Sequence, residues 1–162
     1  MDISRGIKLL EHLLKTMEKV VDQRLRKVIE INEMQYGFYK GRGTTDAIFV
    51  GNSCKKNTWR NRKSSFFFAF VDLEEAYDRI HREVVYWCLR KRGVPESTIR
   101  QVQATCTNTA IMVQIPQGPT ECFNIHVGLH QGSALNPFLF IVVMDTITRD
   151  CRRGLPWELL YG

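Results

Sequence analysis

The sequence predicts an α+β domain, with an antiparallel sheet carrying helices on one face. Three observations lead there. Ile7, Leu10, Leu14, Met17, Val21, Leu25 and Val28 recur at steps of three and four, which makes one apolar helical stripe. Phe66-Phe-Phe-Ala-Phe-Val71 is a short apolar run with the composition of a buried strand. Ile111 to Ile115 and Cys122 to Val127 flank the turn residues Pro116-Gln-Gly-Pro-Thr120, which is a hairpin pattern.

The first helix is followed by Gln35-Tyr-Gly-Phe-Tyr-Lys-Gly-Arg-Gly-Thr-Thr-Asp46, a glycine-rich stretch with few aliphatic side chains that reads as a loop. Thr44 or Thr45 is placed to cap a helix starting near Asp46. Gly51, Asn52 and Ser53 are poor helix formers in a row, so that helix is weakly supported past Val50. Lys55 to Ser65 is polar and basic and reads as another loop. Asp72 stands at the end of the strand. A helix over Arg82 to Arg92 is stopped by Gly93, with Pro95 beyond it, and Ser97 to Cys106 forms a second short helix. Gly128 to Leu135 is a loop. Asn136 followed by Pro137 marks a helix start, cap first and proline in the first turn. That helix should run through Phe138-Leu-Phe-Ile-Val-Val-Met144 to about Arg152, ending before Gly154 and Pro156, with a last strand from Glu158.

A chain of 162 residues is long enough for one domain with a core of its own. Its apolar fraction of 44% and charged fraction of 25% exclude a chain disordered by composition. The net charge of +6 suits a nucleic-acid partner, because phosphates attract Lys and Arg and release counterions on binding. Each basic cluster by itself, such as Arg24-Leu-Arg-Lys27 or Arg90-Lys91-Arg92, reads equally as a solvated face. The five cysteines are odd in number and widely spaced. With no signal-peptide pattern, they imply reduced thiols in an intracellular protein of nucleus or cytoplasm, not a secreted one. Cys122, His126 and His130 lie four apart, but no second ligand pair of finger spacing accompanies them, so a zinc site is not expected. No apolar run approaches the length of a membrane span.

The chemistry concentrates in Phe70-Val-Asp-Leu-Glu-Glu-Ala-Tyr-Asp78. A carboxylate at the end of a buried strand is held rigidly at a sheet edge, where it can bind a hard divalent cation. Phosphoryl transfer uses such cations to neutralise and orient the transferring group. On position alone, Asp72 reads more readily as the cap of the next turn.

Asp72-x-x-x-Ala76-Tyr77-Asp78 resembles the first catalytic motif of reverse transcriptases. The resemblance implies that Asp72 binds the metals, Mg²⁺ with Mn²⁺ as the alternative, helped by the backbone carbonyl of Leu73. It also implies that Tyr77 lies under the sugar of the incoming nucleotide, where its ring collides with a 2′-hydroxyl and selects deoxynucleotides. Gly128-Leu-His-Gln-Gly-Ser-Ala-Leu-Asn-Pro137 is similar to the family's loop that shapes the nucleotide pocket. There Gly132 lets the backbone approach the ligand and Gln131 offers donors and an acceptor. Gln35-Tyr-Gly-Phe through Gly41-Arg-Gly-Thr-Thr-Asp46 resembles the fingers motif of reverse transcriptases from non-LTR retrotransposons. It implies Lys40 and Arg42 near the triphosphate or template backbone, although Tyr39 stands where the family usually has a basic residue. Arg5-Gly-Ile-x-Leu-Leu10 resembles the opening fingers segment.

The matches occur in the family's order over nearly the whole chain. They imply a partial reverse transcriptase domain, residues 1–65 fingers-like and 66–162 palm-like, whose partners are an RNA template, a DNA primer and deoxynucleoside triphosphates, with no membrane and no obligate protein partner. Leu159-Leu-Tyr-Gly162 stands where the family's Tyr-x-Asp-Asp hairpin would open. The expectation is therefore a fragment, truncated at both ends, without the second catalytic aspartates and thumb. Its metal binding should be weak or absent and its polymerase activity lost. The alternatives are a fragment of a group II intron-type reverse transcriptase and a non-catalytic RNA-binding remnant.

Overall fold

A computed structural model describes residues 12–60, 69–106, 110–115, 118–121, 123–124, 127–129 and 132–149. Six helices and a small irregular hairpin make up the described part. Helix α1 spans His12–Val28, α2 Thr44–Arg60, α3 Ala76–Arg79, α4 Arg82–Lys91, α5 Glu96–Cys106 and α6 Asn136–Ile147.

The centre is α6. Phe138, Leu139, Ile141 and Val142 are fully buried, and its buried positions take in all but the stripe of Pro137, Phe140, Met144 and Ile147. Helix α4 packs on it through Val85, Cys88 and Leu89, while α1 lies against α5. On α1, Val21 and Leu25 are buried as the stripe predicts, but Met17 and Val28 are about half exposed and Glu18 is buried instead. The inward face follows the 3.6-residue repeat through Glu18, whose carboxylate has a partner described below. The stripe's beginning, Ile7 and Leu10, lies outside the described residues.

Local chemistry explains the helix ends. Helix α4 stops in a Schellman turn. Gly93 has φ +75°, its N–H donates to the Arg90 carbonyl at 2.9 Å, and the Val94 N–H donates to the Leu89 carbonyl at 3.1 Å. Arg90 then bridges to Glu96 at the start of α5 with two bonds of 2.8 and 3.1 Å.

Three helix ends meet at Arg92. Its buried guanidinium donates to the Asp145 carboxylate, to Thr146 Oγ1 at 3.2 Å in the last turn of α6, and to the Glu30 carbonyl at 3.2 Å just beyond α1. A cation suits this position, because the C-terminal ends of helices carry partial negative charge.

Several expectations need correction. Helix α2 begins at Thr44 and continues through Gly51, Asn52 and Ser53 to Arg60, so Lys55 to Arg60 is helix rather than loop. Neither Thr44 nor Thr45 caps it. Asp46 reaches back instead and accepts the Gly43 N–H at 2.7 Å, one half of a capping box. Helix α6 starts at Asn136, but Asn136 is not its cap. The Ser133 hydroxyl accepts the N–H groups of Leu135 and Asn136, each at 3.2 Å. Helix α6 ends at Ile147, short of the expected Arg152; Arg152, Gly154, Pro156 and the strand from Glu158 lie outside the described residues.

The strand expected at Phe66 to Val71 is not seen where it can be seen. Phe66 to Phe68 lie outside the described residues, and Ala69 to Val71 are irregular, with Phe70 92% and Val71 81% exposed. An apolar run becomes a strand only beside a partner that takes up its backbone groups, and no strand among the described residues pairs with it.

The hairpin is present in two pieces. β1, Ala110–Ile111, pairs with β4, Phe123–Asn124, and β2, Gln114–Ile115, pairs with β3, Gly118–Pro119, both antiparallel. From Ile111↔Phe123 to Gln114↔Pro119 the register slips by one residue, a bulge on the returning strand. Thr120 bridges it. Its N–H donates to the Val113 carbonyl and its hydroxyl accepts the Val113 N–H, both at 3.0 Å.

Candidate functional site

Residues 69–75 run exposed to Glu75, where φ of +51° turns the chain into α3. The Glu75 carbonyl accepts the N–H groups of Asp78 and Arg79 at 2.9 and 3.0 Å, and its carboxylate pairs with Arg79 at 3.1 Å. These contacts hold the turn that carries Tyr77.

The loop beginning at Gly128 docks directly on that turn. The Leu129 N–H donates to the Tyr77 carbonyl at 2.8 Å, and the Gly128 N–H donates to the Ile80 carbonyl at 3.0 Å. Glycine is required at 128 because φ is +94° and a Cβ would sit 2.8 Å from the Asp78 carbonyl oxygen. Arg82 ties the junction from below, donating to the Cys106 carbonyl at 2.6 Å and the Gly128 carbonyl at 3.4 Å. The two long motifs are thus brought into contact, backbone to backbone.

Tyr77 sits between two rings. Phe140 of α6 stacks on it at 4.6 Å with an interplanar angle of 10°, and Phe38 of the glycine-rich loop meets it edge-on at 6.0 Å and 82°. Phe38 has a φ of +55°, uncommon for a non-glycine residue. The Tyr77 hydroxyl is buried with no hydrogen-bond partner among the described residues, and burial pushes its pKa up to about 12. Three segments distant in sequence therefore converge on one phenol ring.

Asp72 is exposed and its carboxylate has no partner among the described residues; Leu73 is half exposed. No group of three metal-ligating side chains occurs among the described residues. Gly132 is exposed with φ +100°. Gln131, like Cys122, His126 and His130, lies outside the described residues. Lys40 is exposed. Arg42 is engaged: its guanidinium donates to the Glu33 carbonyl and, at 3.4 Å, to the Asn32 carbonyl, and it lies over the Tyr39 ring at 5.3 Å. It lines a polar cleft of about 700 Å³ shared with Arg26, Tyr39, Arg92, Asp145 and Arg149.

Phe140, Phe38 as a ring contact, Arg82 and Glu18 were not singled out from the sequence. Helix α6 is apolar nearly all round, so periodicity could not say which ring would face Tyr77. The contacts of Arg82 and Glu18 depend on chain neighbours far away in sequence.

These motifs converge on one aromatic ring, and sequence comparison identifies the class of protein. Residues 2–159 match the family described as reverse transcriptase (RNA-dependent DNA polymerase), and the chain belongs to that family. It is 23% identical over 148 residues to a retrovirus-related Pol polyprotein from type-1 retrotransposable element R2 of Popillia japonica, covering 88% of this chain and 20% of that protein. It is 26% identical over 155 residues to the corresponding polyprotein from type-2 retrotransposable element R2DM of Drosophila melanogaster, covering 96% of this chain and 14% of that protein. A putative 115 kDa protein in type-1 retrotransposable element R1DM of the same fly is 27% identical over 157 residues. The expected family is thereby shown, and the relatives come from R1 and R2 elements rather than from group II introns. The chain spans a fifth or less of the length of these relatives. Among the described residues, no helix is long and apolar enough to cross a membrane.

Proposed function

We propose that these residues form the fingers, roughly 1–65, and the first part of the palm, roughly 66–162, of an RNA-directed DNA polymerase of a non-LTR retrotransposon. The observation that carries this reading is the Phe38–Tyr77–Phe140 stack, because it joins the fingers motif, the aspartate motif and the nucleotide-loop helix at one ring. Tyr77 is the sugar filter. Backed by Phe140, its ring cannot swing aside, so an added 2′-hydroxyl meets a wall rather than a movable side chain. Gly132 and Gln131 border the same nucleotide, and the Leu73 carbonyl lies beside Asp72. Lys40 meets triphosphate or template phosphates. Arg42 holds the shape of the loop carrying Lys40.

Asp72 would be a ligand of Mg²⁺ or Mn²⁺, which neutralises charge on the transferring phosphoryl group. Two such ions about 4 Å apart need several carboxylates, and the 162-residue chain by itself offers Asp72 from this motif. Primer extension on an RNA template should therefore fail with this polypeptide alone. The same residues, placed in the matching position of the Drosophila R2DM relative, should support extension that is lost on Asp72→Asn. Tyr77→Ala should admit ribonucleotides. Extension indifferent to both substitutions would refute the assignment.

A further inference from the structure

The amide end of α6 is capped from the far side of the molecule. Glu18, in the second turn of α1, is only 3% exposed, and its Oε2 accepts the Ala134 N–H at 2.9 Å across 116 residues of sequence. Ser133 Oγ accepts the next two N–H groups, those of Leu135 and Asn136. Three successive N–H groups at the start of α6 thus have side-chain acceptors, one of them a carboxylate supplied by another helix. A buried carboxylate requires compensation, and the partial positive charge of a helix N-terminus provides it. The same helix touches α6 a second time, where the Arg26 guanidinium lies 4.2 Å over the buried Phe138 ring.

We propose that Glu18 is a positioning residue for the loop from Gly128 to Pro137, acting as a remote cap of α6. The loop is pinned at one end by Tyr77 and Ile80, through Leu129 and Gly128. Glu18 pins the other end, two residues past Gly132. Gly132 thus lies between two held points, one set by the aspartate motif and the other by α1. A corollary concerns phosphate. A helix N-terminus is ordinarily an anion site, but here the protein's own carboxylate occupies it, so a triphosphate must be held elsewhere. The bearing on nucleotide binding rests on the function proposed for this loop; the cap itself does not.

Amide hydrogen exchange on the 162-residue chain tests the cap without any polymerase assay. In the unsubstituted protein the Ala134 N–H should be protected, although it precedes α6 and has no backbone acceptor among the described residues. Exchange there at the rate of an open loop overturns the proposal without any variant. Glu18→Met keeps the length of the side chain and removes the acceptor. It should speed exchange at Ala134 by roughly ten- to a hundredfold, the worth of a hydrogen bond to a charged group. Glu18→Gln keeps an acceptor oxygen and should hold most of the protection. Acceleration in Glu18→Met that is matched equally in α4 and α5 would show general core loosening and overturn the positioning role. Equal loss in Glu18→Gln would overturn the hydrogen-bond assignment. Extension by the R2DM chimera that is indifferent to Asp72→Asn and Tyr77→Ala, with the exchange pattern as expected, would reject the polymerase reading and leave the cap standing.

Discussion

Replacing Arg92 by methionine should be among the most damaging single changes in this protein. Methionine retains an apolar stem and removes the guanidinium. The side chains of Arg92 and Asp145 are only 9% and 2% exposed, so the substitution removes the guanidinium from an ion pair held in the core. Breaking such a pair from one side costs about 3–5 kcal/mol, mostly as the penalty of the stranded charge. The bonds to Thr146 Oγ1 and the Glu30 carbonyl are lost with it and are not additive to that figure. With a urea dependence of about 2 kcal/mol per M, the unfolding midpoint should fall by about 1.5–2.5 M. The double variant Arg92→Met with Asp145→Leu removes both charges and should recover most of the loss, because an apolar replacement of a buried pair is often neutral. Urea titration followed by circular dichroism reads both. A single-variant shift under about 0.5 M, or a double variant no better than the single, would refute the view that a stranded charge dominates.

Two glycines with the same backbone demand and different surroundings form a second test. Gly93→Ala meets open space and should cost only the left-handed backbone penalty, about 1–2 kcal/mol. Gly128→Ala adds a clash with the Asp78 backbone and should cost about 2–5 kcal/mol in the same titration. Alkaline pH provides a third. Burial raises the pKa of both Tyr77 and Tyr86 from 10 to about 12. The folded state therefore keeps protons that the unfolded chain releases, so their contribution is intact below pH 10 and is lost as pH rises toward 12. Phenolate ultraviolet absorbance should appear late for these residues, and the melting temperature should drop across that window.

The features legible in the sequence were those settled by neighbours in the chain. The end of α4 needs Gly93 and little else, and the bounds of α4 and α5 follow from it. The start of α6 was legible in place but not in mechanism, since the choice between Ser133 and Asn136 turns on a register of three residues. The burial of Glu18 was hidden, because its acceptor role depends on an amide that only the fold brings near. Helix α2 outlasted its poor propensities, which are a weak guide when each residue contributes a fraction of a kcal/mol to about one kcal/mol. The run at Ala69 to Val71 failed as a buried strand because composition cannot supply a partner. Within the site, Asp72 and Tyr77 stood out through resemblance to a motif, whereas Phe140 was one more apolar residue in an apolar helix.

The bond from Glu18 to Ala134 also bears on how the chain reaches its fold. Closing a loop of 116 residues costs about 4 kcal/mol of chain entropy, growing only with the logarithm of length. Helices α4 and α5, joined by the Gly93 turn, face almost no such cost. The contact order of the molecule is therefore uneven, with a local pair at its centre and its first helix tied to nearly its last. During synthesis α1 emerges before α6, so its carboxylate has no amide to cap until Ala134 has left the ribosome. Over those 116 residues of translation the nascent chain carries that half-apolar helix without its contact to α6, which makes α1 a segment a chaperone would meet.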